Sequence, residues 1–393
     1  MFRISTAGVL RLTPVKSVVS SETLNNRTGS MSSRHDPDSR AESGHVPADR
    51  MVILGSGGAR IVVAKQLRAS GGIWFSLSGT RFLVDPGPGS LVRMTGSRHR
   101  LDPTRLSGIL LSHRHLDHSG DVNNMIEAMT MGGTEPRGAL FAPPDALSGD
   151  DPVVLKYVRP FLQRIVTLEQ GGEYVLGEVR FTCPVRHDHR GEVYGFRFRT
   201  GDISTDYADS VGRGQQAERT DEYLTAKTRQ SGTDSKVEMK NDEGRSSVVG
   251  HRSSGLETAK DAKTAKVQDE AETLDPFLTI SYVADTRYFA ELAEHYRADV
   301  VIMNVVRPTP SQLDHLCAVD AEELVKAIRP KLAVLTHFGM KMLQARPWVI
   351  AREMSDRTGC RVVAASDGML VDLEPLKATI PDSQLPITNA GAA

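Results

Sequence analysis

The sequence predicts an α/β domain built in layers, with sheets covered by helices. Three observations predict it. Short apolar runs of strand length recur from Met51 onward. Beyond residue 276 they alternate with segments of helical spacing. Histidines and aspartates gather where those runs stop.

The elements follow in order. "MVILGS" reads as a buried strand and "GGAR" as a glycine loop. "GGIWFSLSGTRFLVDPGPG" reads as two strands joined by a turn at Ser78–Gly79–Thr80, the second ending at Asp85. "LSGILLSH" is a strand, and "DVNNMIEAMTM" is helical through Val122, Ile126 and Met129. "GALFAP", "RIVTL", "VRFTCPV" and "VYGFRFRT" are further strands, with a helix expected over 152–163. In the last third, "FLTISYVAD", "ADVVIMNV", "KLAVLTHF" and "RVVAASDGMLVDL" are strands. "RYFAELAEHY", "DAEELVKAI" and "PWVIAREMSDRTG" are the helices between them.

Three stretches lack such patterning. Residues 1–50 are rich in Ser, Arg, Thr and Asn and read as a disordered extension. Their first twenty residues are basic and free of acids, which suits an organelle transit peptide. The apolar run is short and no cleavage signal is clear, so a plain extension before Met51 is the favoured reading. Residues 201–275 are polar, almost without aromatics, and cannot offset the entropy of ordering. They read as a low-complexity insertion separating two strands that could otherwise form a hairpin. Residues 376–393 read as a disordered tail. One domain, 51–375, remains.

Composition excludes several classes. Lys and Arg number 48 against 49 Asp and Glu, so no global field draws the chain to nucleic acid or membrane. No apolar stretch approaches the roughly 20 residues of a membrane helix. Three scattered cysteines, Cys183, Cys317 and Cys360, supply neither a disulfide framework nor a cysteine-rich zinc motif. A reducing, cytoplasmic setting is expected, with no membrane partner; a homodimer is admissible.

The chemistry lies in "LSHRHLDHSGD". His113, His115, Asp117 and His118 fall within six positions, in a chain with only 12 histidines. Imidazole nitrogens and carboxylate oxygens suit zinc and similar divalent ions. Four donors from one short loop exceed what a single tetrahedral ion takes, so two ions sharing the loop are expected. Further donors are sought at strand ends: His187 or His189 in "CPVRHDHRGEVYGF", Asp285 in "SYVADT", His337 in "LAVLTHFG".

These motifs together resemble the metallo-β-lactamase superfamily of metal-dependent hydrolases, over roughly 51–200 and 276–372. The resemblance implies an αββα four-layer sandwich with two divalent ions at one edge, zinc first, manganese or iron as alternatives. It implies that His113, His115 and His187 hold one ion. Asp117, His118 and His337 hold the other, and Asp285 bridges. "CPVRH" favours His187, at the direct exit of its strand. Counting back from "YGFRF", by comparison with the tRNA-processing branch, favours His189. His187 is the preferred choice. Asp85 matches an aspartate that supports the ligand shell.

Two divalent ions lower the pKa of a bridging water and make hydroxide available at neutral pH. Asp117 is expected to orient that nucleophile. His315 resembles the proton donor of the ribonuclease Z branch; a surface histidine near a helix start is its plainer reading. Glutamate is absent from the second motif position, which argues against di-iron redox work. Asp285 stands where the best-known β-lactamases of the superfamily carry cysteine, which argues against antibiotic hydrolysis. "ILGSGGAR", "DPGPG" and "VADTRYF" look closest to ribonuclease Z and related phosphodiesterases. "LTHFGMKM" departs from that branch, and no Gly/Pro-rich arm for gripping tRNA is found, so RNA is weakly supported as a partner. A basic loop, "GSRHRLDPTR" (96–105), could meet phosphate. The expected function is phosphodiester hydrolysis. The alternatives are hydrolysis of an ester, thioester or lactone, and a metal-binding scaffold without turnover.

Overall fold

The computed structural model describes residues 48–200 and 277–377. The expectations for the amino-terminal extension, the insertion and the tail lie mostly outside them. The sheet begins earlier than Met51 and the chain stays ordered later than residue 375. Asp49 is buried, and the helical turn Glu374–Lys377 places Leu376 in the core.

Two sheets face each other. The first takes β1 (Arg50–Ile53), β2 (Ile73–Leu77), β3 (Thr80–Val84), β4 (Gly108–Leu110), β5 (Ala139–Ala142) and β6 (Arg164–Thr167). The second takes β7 (Gly172–Leu176), β8 (Val179–Cys183), β9 (Phe196–Arg199), β10 (Thr279–Val283), β11 (Val300–Arg307), β12 (Leu316–Cys317), β13 (Leu332–Thr336) and β14 (Val362–Ala364). The last strand, β15 (Met369–Asp372), returns to pair with β1 in the first sheet. The strand orders are β15-β1-β2-β3-β4-β5-β6 and β14-β13-β11-β10-β9-β8-β7, with β12 beside β11.

Alternation sorts the side chains into three cores. In β1, Met51 and Ile53 face the space between the sheets, while Val52, and Leu54 just past the strand, face outward. In β11, Val300 and Ile302 face inward, while Val301 and Met303 face outward. Both faces of these two strands are covered, so they read as nearly continuous apolar runs, whereas β9, Phe196–Arg199, alternates buried and exposed residues. Between the sheets Phe75, Phe82 and Phe198 form an aromatic cluster, with ring centroids 5.0–5.5 Å apart. Helices Ser90–Thr95 and Val122–Met129 cover the first sheet; Ala318–Ile328, Met340–Gln344 and Pro347–Thr358 cover the second. The layers are therefore α, β, β, α, as the resemblance implied.

Several local expectations need correction. The helix over 152–163 is a short 3₁₀ segment, Lys156–Phe161, in which Pro160 has no amide hydrogen to continue an α-helix. "RYFAELAEHY" is helical only at Leu292–His295. The glycine loop runs straight into a short helix, Arg60–Lys65. Strand β7 carries no strong apolar alternation, and β12 has two residues; neither was anticipated. The β2–β3 turn is as expected, with positive φ at Ser78 and Gly79, which matches the twist of the flanking strands.

The arrangement positions the site. β3, β4 and β5 run parallel in one sheet; β10, β11 and β13 run parallel in the other. β8 is antiparallel to β9, which is antiparallel to β10, so β8 ends at the same edge as β10. Loops leaving β3, β4, β8, β10 and β13 bring Asp85, the His113–His118 motif, His187–His189, Asp285 and His337 together.

Candidate metal centre

The motif begins three residues beyond β4. Ser112 is pinned to Asp85, its amide donating to Oδ1 at 2.7 Å and its hydroxyl to Oδ2 at 2.7 Å. The same Asp85 Oδ2 accepts from the Tyr282 hydroxyl at 2.8 Å and meets His118 Nδ1 at 2.9 Å. One buried carboxylate thus ties the motif to β10 of the opposite sheet and orients the His118 ring. A helical turn, Leu116–Ser119, carries Asp117 and His118 inward.

Among the described residues the donors fall into four overlapping groups, two of which do not include Asp285. His113, His115 and His189 form the first; Asp117, His118 and His337 the second. Within each, the ligand atoms lie within 4.8 Å of one another. Asp285 stands between the groups: Oδ2 is 3.9 Å from His113 Nε2 and 3.4 Å from His118 Nε2, and Oδ1 is 3.6 Å from His337 Nδ1. Asn304 donates to Asp285 Oδ1 at 2.9 Å and holds it in place. His315 also belongs here, its Nε2 3.2 Å from Asp285 Oδ2.

The expectation for His187 is corrected by this geometry. His187 turns away from the other donors. Its Nδ1 is 3.2 Å from the Asp285 carbonyl, which can only accept, and its Nε2 accepts from the Tyr296 hydroxyl at 2.6 Å. Both ring nitrogens are occupied, and burial brings the imidazole pKa down to about 4. His189, two residues on, points Nε2 to within 3.2 Å of His115 Nδ1. Its Nδ1 is 2.7 Å from the Asp314 carbonyl, so that nitrogen carries the proton and Nε2 keeps its lone pair.

The electrostatics suit a cation. His113 is driven well below the ordinary imidazole range, by burial first and then by neighbouring His118, and so is neutral. Burial also lowers His115 and His189. Burial acts against charging His118, but Asp285, Asp85 and Asp117 hold its proton well above the usual range. Burial likewise opposes ionisation of Asp285, yet His337, His118 and His315 keep its carboxyl well below the carboxylate range. Asp117 is depressed in the same way, against burial, by His118 and His337. His113 Nε2, His315 Nδ1 and His337 Nδ1 are buried without a hydrogen-bond partner. Buried ring nitrogens left over in this way, beside anionic oxygens, fit divalent cations.

Backbone conformation is held to fit. His337 and Asp85 both adopt positive φ, at 61° and 50°, which non-glycine residues seldom do. Gly58 lies flat against the His337 ring, where any Cβ would overlap it. The next amide, Ala59 N–H, donates to Asp117 Oδ2 at 3.1 Å.

A family profile, the β-lactamase superfamily domain, matches residues 80–224. A crystal structure of the metallo-β-lactamase fold protein YhfI from Bacillus subtilis superposes with a TM-score of 0.51 at 14% identity. The match covers 83% of this chain and 99% of that one. The fold is that of the metallo-β-lactamase superfamily. Human tRNase Z, short form, matches more loosely, with a TM-score of 0.44 at 15% identity over 82% of this chain and 98% of its own. An uncharacterized protein of Methanocaldococcus jannaschii is 26% identical over 330 residues, covering 82% of this chain and 94% of that protein. Among the described residues of this metallo-β-lactamase-fold chain, no helix is long and apolar enough to cross a membrane.

Proposed function

We propose that the protein is a dinuclear metal-dependent hydrolase acting on phosphodiester bonds. The observation that carries this reading is the convergence of two donor groups on one shared carboxylate, Asp285. His113, His115 and His189 would hold one divalent ion, and Asp117, His118 and His337 the other. Zinc suits the nitrogen-rich set, with manganese or iron as alternatives. Such ions supply Lewis acidity and a nucleophile at neutral pH.

The chain's own residues then have separate tasks. Asp117, steadied by the Ala59 amide, orients the attacking water. Burial works against charging His315, but Asp285 raises its pKa above the ordinary imidazole value. A proton kept at His315 Nε2 is available to the leaving oxygen. Three of the four donor loops carry an arginine: Arg114 between His113 and His115, Arg190 after His189, and Arg287 two residues after Asp285. Asp145 and Asp314 partly offset Arg114 and Arg287, so the arginines lend the rim a modest preference for an anionic substrate, and RNA is one member of the class.

A second reading, hydrolysis of a carboxylic ester, thioester or lactone, is favoured by exposed apolar side chains near the donors. Leu116, inside the motif, is 71% exposed, and Leu313, two residues before His315, is also exposed.

The test is turnover by metal-loaded protein on bis-p-nitrophenyl phosphate, against a panel of lactones and thioesters. Phosphodiester turnover lost in Asp117→Asn supports the first reading. Turnover confined to lactones or thioesters transfers support to the second. Two bound ions with no turnover on any substrate reject both.

A further inference from the structure

We infer that the Arg287–Asp314 ion pair is a positioning device, which holds His189 and His315 against the metal centre by locking three loops together. The inference rests on the reading of this cluster as a metal centre.

The three loops leave β8, β10 and β11, and each carries one residue of the cluster: His189, Asp285 and His315. Arg287 touches all three. Its backbone amide donates to the Asp188 carbonyl at 3.0 Å, fixing the loop of His189. Its guanidinium Nε donates to Asp314 Oδ1 at 2.6 Å, and Nη2 donates to the same oxygen and to the Gln312 carbonyl at 3.4 Å, fixing the loop of His315. Asp188 N–H in turn donates to the Thr286 hydroxyl at 3.2 Å.

Asp314 matters through its backbone as well. Its carbonyl receives the His189 Nδ1 proton at 2.7 Å. That bond selects the tautomer in which His189 Nε2 faces the centre, and partners of this type tune ligand affinity. The next residue is His315, whose ring packs against His189 with centroids 4.8 Å apart. Pulling Asp314 towards Arg287 therefore sets both rings at once.

The plainer reading is a surface ion pair of no consequence. Arg287 is 51% exposed and the Asp314 side chain 25%, so the pair adds little to folding. That exposure makes the two readings separable, because a local change here can leave the fold intact.

The experiment compares full-length wild type, Arg287→Ala, Arg287→Lys and the exchanged pair Arg287→Asp/Asp314→Arg. Each is titrated with Zn²⁺ against a chromophoric chelator, and the Co²⁺-loaded forms are followed by visible absorption. Arg287→Ala is expected to bind one of its two ions about 10-fold more weakly, with an altered Co²⁺ spectrum and an unchanged melting temperature. Arg287→Lys, which keeps the charge but loses the planar fork, is expected to fall between. The exchanged pair is expected to recover affinity. If Arg287→Ala fails to fold, Arg287→Lys is read in its place. Affinity and spectrum equal to wild type in both Arg287 variants overturn the inference. Wild-type protein that takes up no metal rejects the centre itself, a different result from wild type and variant binding alike.

Discussion

His118 Nε2 lies 2.9 Å from His337 Nε2, across 219 positions of chain. Each ring is oriented from behind: Asp85 meets His118 Nδ1, and the Gly58 backbone lies against the face of His337. Asp117 Oδ2 completes the group, 3.3 Å from His337 Nε2 and 4.0 Å from His118 Nε2. Two nitrogens and a carboxylate in this relation act as a unit, so predictions made for one bear on the others.

His187→Leu and His189→Ala should have opposite effects. Removing His189 takes a donor from the His113–His115 group, and elemental analysis should find about one ion fewer per chain. Removing His187 leaves the donors in place and strips the Tyr296 hydroxyl of its 2.6 Å partner. Chemical denaturation should then show a loss of about 1–3 kcal/mol with metal content unchanged. The reverse pattern would restore His187 as the ligand.

Gly58→Ala should damage the centre without touching a donor. Its methyl would enter the His337 ring, and His337 is already held at a strained φ of 61°. Overpacking of this kind costs about 1–3 kcal/mol. Calorimetry should record the lower stability, and chelator competition a weaker hold on metal. Wild-type values in both would mean that the ring can move aside.

The Glu322–Arg357 pair gives a pH-dependent prediction. Arg357 Nη2 donates to Glu322 at 2.7 Å and joins helices Ala318–Ile328 and Pro347–Thr358. The Arg357 hydrogen bonds hold the Glu322 carboxyl below its ordinary value of 4.5. A depressed folded pKa contributes stability above the unfolded value, and that contribution is lost as pH falls through the folded value. Arg357→Ala should therefore lower stability only slightly at pH 7, given the exposure and screening of the pair. The difference should vanish in strong acid and shrink in molar salt. A constant difference in urea melts from pH 7 to pH 2 would contradict this.

Excising 205–272 behind a short Gly-Ser linker should leave fold and metal content intact. β9 and β10 are adjacent and antiparallel, with Arg199 opposite Thr279 and the Thr200 amide donating to the Leu278 carbonyl at 3.1 Å. The ends to be joined already sit side by side. Shortening the connection lowers the closure entropy, for a gain of about 1 kcal/mol. Loss of cooperative melting would show that the segment is needed for folding.

The strands and the dense motif were legible because both are local. An apolar run declares a buried strand, and four donors in six residues need no distant context. Asp285 and His337 were legible because each follows its strand directly. His189 was harder to read. After β8 the chain turns back on itself, with Arg186 bridged to Tyr194 and the His187 amide bonded to Val193. Strand alternation no longer says which way a side chain points there, and the first histidine after the strand went to Tyr296. The 3₁₀ segment at Lys156–Phe161 departs from the helix expected over 152–163 because Pro160 has no amide hydrogen to donate. The knot of loops at Arg287 had no local signal, since its partner lies 27 residues away.

The donors are divided along the chain in a way that orders events during synthesis. His113, His115, Asp117, His118 and His189 precede residue 200, whereas Asp285, His315 and His337 follow residue 276. A nascent polypeptide emerging from the ribosome displays five donors well before the shared carboxylate and His337 exist. Metal captured that early would be held by an unfinished shell and readily given up to competing chelators. Secure loading would have to await β10 and β13, when both halves of the centre have been made.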